Sequence, residues 1–353
     1  MAIVQVMGLT PNALFAEVKR TPSNIPAKIR DLVRASREAA VLFAAAETGI
    51  FDAVGPRGDT ADQVSRKKRL NKRAVEIVLN TLAGIGFLRK RADRYFNLPF
   101  AKRCLLTGSP DSVIESLLLG NRTNKAWSAL DQILRTGAGA AKQTWERGDI
   151  RRETTIFARA MFVGAKDAAR ALPEMADLGR CRTLIDIGGG AGHFSYHLCK
   201  QYPRLTATIL DLPLTVRLTR RYLKEYGLGK RMRAVAGDFE KGELPGGFDA
   251  ALLSQIIHSL GEKGNAELVA KVYRCLNPGG IIILRDFFLN PDRTSPPNAA
   301  LFAVNMLVNT KGGRTYALDE AKAWMRAAGF TKITRLGPPA FGDSSVLTAL
   351  KPA

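Results

Sequence analysis

Residues 184–192, Leu-Ile-Asp-Ile-Gly-Gly-Gly-Ala-Gly, decide the fold of this chain. A short apolar run containing Asp186 leads into glycines, which is typical of a strand that turns tightly into a helix. Nineteen residues after Gly192, a second apolar run (207–210) ends in Asp211. Glycines let a loop approach a ligand closely, and an acid at the end of the next strand can accept hydrogen bonds from a ribose diol. The pattern predicts a nucleotide-binding βαβ unit.

The spacing of the glycines narrows the class of nucleotide. A dinucleotide fingerprint needs G-x-G-x-x-G, but after Gly188 and Gly190 the third glycine position holds His193. No Gly-Lys-Ser/Thr follows, as a phosphate-binding P-loop would require. The remaining pattern suits a ligand that has a ribose and no pyrophosphate. S-adenosylmethionine fits that description, and a glycine-rich turn without a ligand is the alternative.

Strand and helix signals alternate through the rest of the C-terminal half. They predict strands at 232–236, 248–253, 281–284, 332–335 and 346–350, and helices at 262–276 and 318–328. Alternation of this kind predicts a mostly parallel sheet covered by helices on both faces, with the ligand at the carboxyl ends of the strands. Asp238 is then placed to accept a hydrogen bond from an adenine amino group, and Phe239 to cover the ring.

Residues 183–350 resemble the catalytic domain of class I S-adenosylmethionine-dependent methyltransferases. They are most similar to the O-methyltransferase family of the plant caffeic acid and bacterial natural-product enzymes. The resemblance rests on these segments, in this order: Asp186-x-Gly188-Gly189-Gly190-x-Gly192, Asp211-Leu212-Pro213, Gly237-Asp238-Phe239, Ile256-Ile257-His258, Asn277-Pro278-Gly279-Gly280, Gly312-Gly313-Arg314 and Ala328-Gly329-Phe330.

The resemblance implies an α/β fold with a Rossmann-like, seven-stranded methyltransferase sheet in residues 181–353. It also implies S-adenosylmethionine as the cofactor, with S-adenosylhomocysteine as its product. The residues expected to bind this cofactor are Asp186, Gly188, Gly190, Asp211, Leu212, Asp238, Phe239 and Ser254.

Residues 1–115 have a different organisation. Helical apolar spacing covers 29–54, a helix led by Thr60 extends to about 69, and a helix capped by Asn71 extends to about 85. Two short strand signals within 87–98 complete a winged-helix pattern. In the family that this chain resembles, such a domain forms the homodimer and helps close the partner's substrate pocket, so we expect a homodimer.

Residues 116–180 are rich in helix formers and are expected to link the two domains. Phe157 and Met161 in this linker resemble the family's aromatic and methionine that line the substrate pocket, although ordinary core packing has the same helical spacing. Met306 matches the substrate-clamping methionine of the family. Asn305 and Asn309 could supply hydrogen bonds to the substrate.

His258 matches the general base of the family. Transfer of a methyl group to a hydroxyl requires removal of the hydroxyl proton, and imidazole is well suited to accept a proton near neutral pH. Asp286 stands where the family has a glutamate that orients the histidine. The family's other two carboxylates are replaced by Ser259 and Thr315. Methylation of carbon or nitrogen in a small molecule therefore remains an alternative.

The net charge of +21, from 53 Lys and Arg against 32 Asp and Glu, is not explained by the resemblance. Ten basic residues lie within the winged helix, which raises nucleic-acid methylation or DNA binding as alternatives. However, the second helix exposes an acid, Glu76, beside Lys72 and Asn80. The motifs of adenine-amino and cytosine-C5 methyltransferases are also absent after the fourth strand, where 254–257 is Ser-Gln-Ile-Ile. The basic residues are Arg66, Lys67, Lys68, Arg69, Lys72, Arg73, Arg89, Lys90, Arg91 and Arg94.

Other features of the sequence indicate the cellular compartment of the protein and whether it binds a metal. The four cysteines are far apart, which argues against a zinc site and a disulfide framework. No apolar run is long enough to span a membrane, and the first 20 residues lack the pattern of a signal peptide. His193 and His197 are four residues apart without a neighbouring carboxylate or cysteine, and we interpret them as a surface pair. We therefore expect a cytoplasmic protein without a metal.

Overall fold

The computed structural model describes residues 26–137, 150–341 and 344–353. The stretch without a signal-peptide pattern (1–20) and residues 138–149 of the expected linker lie outside the described residues. The chain separates into two compact units, Met1–Ala101 and Lys102–Ala353. The boundaries predicted at 115 and 180 stay predictions.

The N-terminal unit contains helices α1 (Ala27–Thr48), α2 (Ile50–Ala53), α3 (Ala61–Lys68) and α4 (Lys72–Gly84), with strands β1 (Asp59–Thr60), β2 (Leu88–Arg91) and β3 (Arg94–Asn97). The capping predictions are confirmed. Thr60 and Gln63 form a reciprocal capping box, and Asn71 Oδ1 accepts a hydrogen bond from the backbone of Ala74. Strands β2 and β3 form the expected wing after the two helices. Strand β1 joins β3, so that the sheet has the order β1-β3-β2.

The first helical segment differs from its prediction because it is not one continuous helix. It is divided at Gly49, which adopts the left-handed conformation at φ 67° and separates α1 from α2. Ile50 and Phe51 are buried within their own unit. The apolar side chains left exposed lie earlier in α1: Ile29 is 53% exposed, Leu32 64% and Val33 46%.

The rest of the chain carries helices α5 (Pro99–Cys104), α6 (Ile114–Trp127), α7 (Leu130–Thr136), α8 (Ile150–Met175), α9 (His193–Gln201), α10 (Pro213–Tyr226), α11 (Glu262–Cys275), α12 (Pro297–Asn309) and α13 (Leu318–Ala328). Its strands are β4 (Thr183–Ile187), β5 (Thr206–Asp211), β6 (Met232–Ala236), β7 (Phe248–Ser254), β8 (Leu276–Leu289), β9 (Tyr316–Ala317), β10 (Thr331–Phe341) and β11 (Ser344–Leu350).

The large sheet has the order β10-β11-β8-β7-β4-β5-β6. The strands from β8 to β6 are parallel, and β10 and β11 are antiparallel to their neighbours. These are the seven strands predicted. The structure adds an eighth, the two-residue β9, which pairs with β8 because β8 extends to Leu289, five residues beyond its predicted end.

Each face of the sheet buries its own apolar core, because successive side chains of a strand point to opposite faces. On one face, Ile185, Leu253 and Leu284 pack with residues of α11 and α13. On the other, Leu184, Leu252 and Ile283 pack with residues of α8 and α9. The C-terminal half of the expected linker, in α8, therefore belongs to the core of the sheet. The carboxyl ends of the parallel strands meet at one edge, where the candidate site lies.

Candidate active site

The loop after β4 has a backbone conformation that favours glycine. Gly188 has φ 67°, and a Cβ at this position would lie 2.3 Å from Cδ1 of Ile256. Gly190 has φ 55° and has open space where its Cβ would be. Both φ values lie in the left-handed region that other residues rarely adopt. The loop can therefore bring its backbone directly against a ligand at the carboxyl edge of the sheet.

Asp211 ends β5 beside this loop. Its Oδ2 accepts a hydrogen bond from the backbone N–H of Gly190 at 2.8 Å, and its Oδ1 accepts one from Leu212 at 2.7 Å. Burial raises the pKa of Asp211, although these hydrogen bonds act in the opposite direction. A carboxylate has about four acceptor positions, so this side chain can still accept bonds from a diol.

Asp186 lies beneath the loop and not on its ligand side. It is almost wholly buried, and its Oδ2 accepts a hydrogen bond from the hydroxyl of Ser195 at 2.7 Å. Burial raises the pKa of Asp186 to about 7. A Cβ at Gly189 would lie 2.5 Å from its carboxyl carbon. Asp186 therefore supports the loop, and a direct contact with the cofactor stays a prediction.

Three further residues predicted for the cofactor lie around the ends of β5 and β6. Leu212 is half exposed. The ring of Phe239 lies 3.6 Å from the Cβ position of Gly188. Asp238 accepts a hydrogen bond from the backbone of Glu240 and forms an ion pair with Lys241. An apolar surface beside a carboxylate acceptor can hold an aromatic ring that carries an amino group.

His258 and Asp286 form a hydrogen-bonded pair. The distance from His258 Nδ1 to Asp286 Oδ1 is 2.8 Å, and the backbone N–H of Phe287 donates to the same Oδ1 at 2.8 Å. A carboxylate only accepts, so Nδ1 carries the proton and Nε2 keeps a lone pair. Asp286 is fully buried, and the His258 side chain remains 13% exposed. The pair can therefore accept a proton from a bound molecule.

His258 follows β7, and Asp286 belongs to the neighbouring strand β8. His258 lies in a short 3₁₀ helix, Ile257–Ser259, after β7. Asp286 lies inside β8, three residues before its end. The 3₁₀ turn brings the imidazole back over the neighbouring strand. Gly313 permits this arrangement, since a Cβ there would lie 2.3 Å from the backbone oxygen of His258.

Two aromatic side chains beside His258 were missed. Phe302 packs edge-on against the imidazole with ring centroids 4.8 Å apart, and Phe287 lies 4.7 Å from Phe302. Phe302 stands three and four residues before Asn305 and Met306 on α12, so helical periodicity offered a signal for it. The imidazole therefore lies against an apolar wall.

Comparison with known proteins identifies the family. A sequence model of the O-methyltransferase domain matches residues 134–331, and a model of the O-methyltransferase dimerisation domain matches residues 31–107. The chain belongs to the O-methyltransferase family. It uses S-adenosylmethionine as the methyl donor, as predicted.

Individual relatives cover nearly the whole methyltransferase. The 3-hydroxy-5-methyl-1-naphthoate 3-O-methyltransferase of Streptomyces sahachiroi is 31% identical over 333 residues, covering 92% of this chain and 95% of the relative. The tetracenomycin polyketide synthesis 8-O-methyl transferase of Streptomyces glaucescens is 28% identical over 316 residues, covering 87% and 92%. The crystal structure of human N-acetylserotonin methyltransferase in complex with the donor shares the fold, with a TM-score of 0.81 at 23% identity and coverage of 94% and 100%.

Two of the three carboxylates of the resembled family are absent from this methyltransferase, and Ser259 and Thr315 stand in their place. Ser259 donates its hydroxyl to the backbone oxygen of Ile256 at 2.7 Å. Thr315 is buried, and its hydroxyl has no hydrogen-bond partner among the described residues. Asp286 is thus the carboxylate that contacts His258.

Some of the α12 residues that were predicted to bind the methyl acceptor form hydrogen bonds with one another. Asn305 Oδ1 accepts hydrogen bonds from Trp127 Nε1 at 3.1 Å and from Asn309 Nδ2 at 2.9 Å. Met306 is buried in the same helix. Trp127 was missed because its contact with Asn305 joins residues 178 positions apart in the sequence. This network fixes the helix that carries Phe302.

Phe157 and Met161 lie on α8 and keep a large exposed surface, 45% and 46% respectively. The alternative of ordinary core packing is therefore wrong for both side chains. Their role in binding an acceptor stays a prediction.

The interpretation of His193 and His197 as a surface pair was wrong. Both are half-buried, and His193 packs against Phe162 at 4.5 Å and against His197 at 4.9 Å between ring centroids. Burial lowers the pKa of His193 to about 4. In the described ranges, no group of three or more His, Cys, Asp or Glu side chains could hold a metal ion.

Several basic residues of the winged helix have partners within their own unit. Lys67 forms an ion pair with Asp59 at 2.8 Å, and Arg66 and Lys72 both pair with Asp62. Nucleic-acid binding by this unit stays an untested alternative. No helix in the described part of the chain is long and apolar enough to cross a membrane.

Proposed function

We propose that the methyltransferase transfers the methyl group to a hydroxyl oxygen of a small aromatic or polyketide-like molecule, with His258 as the general base. The hydrogen-bonded pair of His258 and Asp286 carries this proposal. The imidazole has one nitrogen bound to a buried carboxylate and the other available at the carboxyl edge of the sheet.

Different residues of the chain would bind the methyl donor and activate the methyl acceptor. Gly188, Gly190, Asp211, Asp238 and Phe239 would bind the donor, which supplies a methyl group on a positively charged sulfur. His258 Nε2 would accept the proton of the acceptor hydroxyl as the new carbon–oxygen bond forms. Asp286 would hold the imidazole in the tautomer that leaves Nε2 unprotonated and would stabilise the imidazolium once it forms.

The surroundings of His258 favour an aromatic acceptor. Phe302 and Phe287 present an apolar wall next to the base, and Met306 lies one helical turn from Phe302. Aromatic rings pack well against such surfaces in offset or edge-to-face contacts. Two relatives point the same way, because their names specify O-methylation of a naphthoate and of a tetracenomycin polyketide.

This function is tested with a panel of acceptors and an isotopically labelled methyl donor. The panel contains hydroxynaphthoates, hydroxybenzoates, polyketide-like phenols and matched aminoarenes without a hydroxyl. We expect label only in compounds with an aromatic hydroxyl, with the methyl group assigned to oxygen by NMR. Transfer to ring carbon or to the amine would establish the alternative reaction.

Asp211 provides a prediction for donor binding. Replacing it with Ala removes the acceptor for the ribose hydroxyls and the anchor of the Gly190 N–H, and should weaken binding by about 1–3 kcal/mol. Asp211→Asn keeps one carbonyl oxygen and should lose less. Calorimetry with S-adenosylhomocysteine measures both. Equal affinity of the wild type and the Ala variant would remove Asp211 from the site.

We also propose a homodimer formed through the N-terminal unit and located in the cytoplasm. The matched dimerisation domain includes Leu32 and Val33, which are exposed apolar residues of α1. Leu32→Glu combined with Val33→Glu should convert the dimer to a monomer, as measured by light scattering at roughly tens of micromolar protein. A wild-type protein that is already monomeric at this concentration would contradict the proposal.

A further inference from the structure

Arg285 is a buried cation beside the donor site. It lies on β8 directly opposite Ser254 of β7 and is only 8% exposed. Its guanidinium donates to the hydroxyls of Ser254 at 3.3 Å and Ser344 at 2.8 Å. It also lies 5.2 Å from the ring centroid of Phe194, in the first turn of α9. Each of these partners is neutral.

In the described part of the chain, no carboxylate oxygen lies within 4.0 Å of a guanidinium nitrogen of Arg285, the distance limit for an ion pair. Asp286 is adjacent in sequence, but its side chain points to the opposite face of β8 and binds His258. Burial lowers the pKa of Arg285 to about 10, although the charge of Asp286 acts in the opposite direction without a direct contact. A buried guanidinium with neutral partners is costly, because it has lost hydration without gaining a counter-ion. A bound anion would correct this imbalance.

The sheet order indicates which anion this is. Asp211, Gly188, Ser254 and Arg285 follow one another across the neighbouring strands β5, β4, β7 and β8. If Asp238 and Asp211 bind the adenine and the ribose as proposed, these groups occupy the β6 and β5 end of this row. The amino-acid part of the donor must then extend across the glycine loop towards β7. Three strand steps of about 4.8 Å, roughly 14 Å, separate Asp211 from Arg285. The extended donor arm and the arginine side chain can meet within this distance.

The two faces of β8 separate donor recognition from proton transfer. Arg285 and Ser254 point towards α9, the helix that follows the glycine loop, whereas Asp286 and His258 lie on the other face. An anion bound by Arg285 is therefore kept away from the imidazole that becomes positively charged during the reaction. An acceptor held against Phe302 and His258 lies on the opposite side of the strand.

We propose that Arg285 binds the α-carboxylate of S-adenosylmethionine, with Ser254 orienting its guanidinium. This assignment rests on the donor site and is independent of the acceptor and of the role of His258. The carboxylate of an aromatic acid that serves as the methyl acceptor could bind Arg285 in the same way. The test distinguishes this carboxylate from that of the donor.

The test measures binding by calorimetry in the absence of an acceptor. The ligands are S-adenosylhomocysteine and its analogue in which hydrogen replaces the α-carboxylate. The proteins are the wild type, Arg285→Met, Arg285→Lys and the control Arg335→Met, which removes an exposed arginine that also donates to a serine of β11. Melting curves establish that each variant is folded.

We expect Arg285→Met to bind S-adenosylhomocysteine about tenfold to a hundredfold more weakly, since a hydrogen bond between charged groups is lost. Its affinity for the decarboxylated analogue should change by less than about threefold, within the context dependence of a single contact. Arg285→Lys should fall between the wild type and the Met variant, and Arg335→Met should match the wild type.

Three results would overturn the proposal. One is equal affinity of the wild-type protein for both ligands, a result that does not depend on the folding of any variant. Another is an equal loss for both ligands in Arg285→Met, which would indicate a structural role. The third is unchanged donor affinity with a raised KM for a hydroxynaphthoate but not for the matching naphthol, which would assign Arg285 to an acceptor carboxylate. A failure of the proposed O-methylation would leave these binding results unaffected.

Discussion

Replacing His258 with Ala is expected to reduce kcat by about 10²–10⁴-fold, the usual contribution of a general base. The acceptor hydroxyl would then keep its proton until late in the reaction, so the attacking oxygen would be a weaker nucleophile. The proposed donor site is the glycine loop with Asp211, and His258 is not among its residues. The affinity for S-adenosylhomocysteine should therefore change little.

The rate is best measured under single-turnover conditions with the acceptor identified in the panel, so that product release does not hide the chemical step. His258→Gln is a second variant, which retains a polar side chain near Asp286 without a base. His197→Ala is the matched control, because it removes a histidine of the aromatic cluster on α9. If His258→Ala keeps more than about a tenth of the wild-type rate, proximity and desolvation carry the reaction, and the base assignment fails.

The geometry of the proposed donor site could largely be predicted from the sequence because its parts are local. The glycines of the loop and Asp211 occupy fixed positions in one βαβ unit, and their left-handed φ values follow from the residue type. Asp186 was harder to interpret. A buried acid beneath a loop and an acid at its ligand side have the same sequence pattern, and only burial distinguishes them.

The acceptor side could be predicted only in part, since it depends on contacts between distant segments. Trp127 binds Asn305 across 178 positions, and Phe302 meets His258 across the space between α12 and the 3₁₀ turn. Gln255 is a further residue that the sequence did not indicate. It has φ 60° although it is not a glycine, and its amide nitrogen is buried without a hydrogen-bond partner in the described structure. Strain of this kind is frequent at functional sites.

The sequence did reveal that two flanking carboxylates are missing, and the structure gives this observation a consequence. Ser259 is used to close the turn that carries His258, and Thr315 is buried without a partner. The orientation of the imidazole therefore rests on Asp286. A methyltransferase with several carboxylates around its histidine could lose one and retain part of its activity, whereas this chain has no second acid at hydrogen-bond distance from His258 in the described residues.

We therefore expect Asp286→Asn to lower kcat by about 10²–10⁴-fold, comparably to the loss of His258. Replacing the corresponding acid by its amide in a hydrolytic triad costs about 10⁴, because the histidine is then held in the wrong tautomer. An asparagine amide can donate to Nδ1, which would place the proton on Nε2, where the acceptor proton must go. The backbone N–H of Phe287 would then lose its acceptor, whereas the opposite amide orientation would keep both bonds to the Oδ1 position and the wild-type tautomer, so the tautomer has to be measured.

The decisive readout for this positioning role is the tautomer and not the rate alone. With three histidines in the chain, nitrogen NMR of labelled imidazole can assign His258 and report which of its nitrogens carries the proton. We expect the proton on Nδ1 in the wild type and on Nε2 in Asp286→Asn. Asp286→Glu, which introduces the acid of the resembled family, should restore the wild-type tautomer and much of the activity. An inactive Asn variant with an unchanged tautomer would show that Asp286 acts through its charge or through the fold of β8 and not by setting the tautomer.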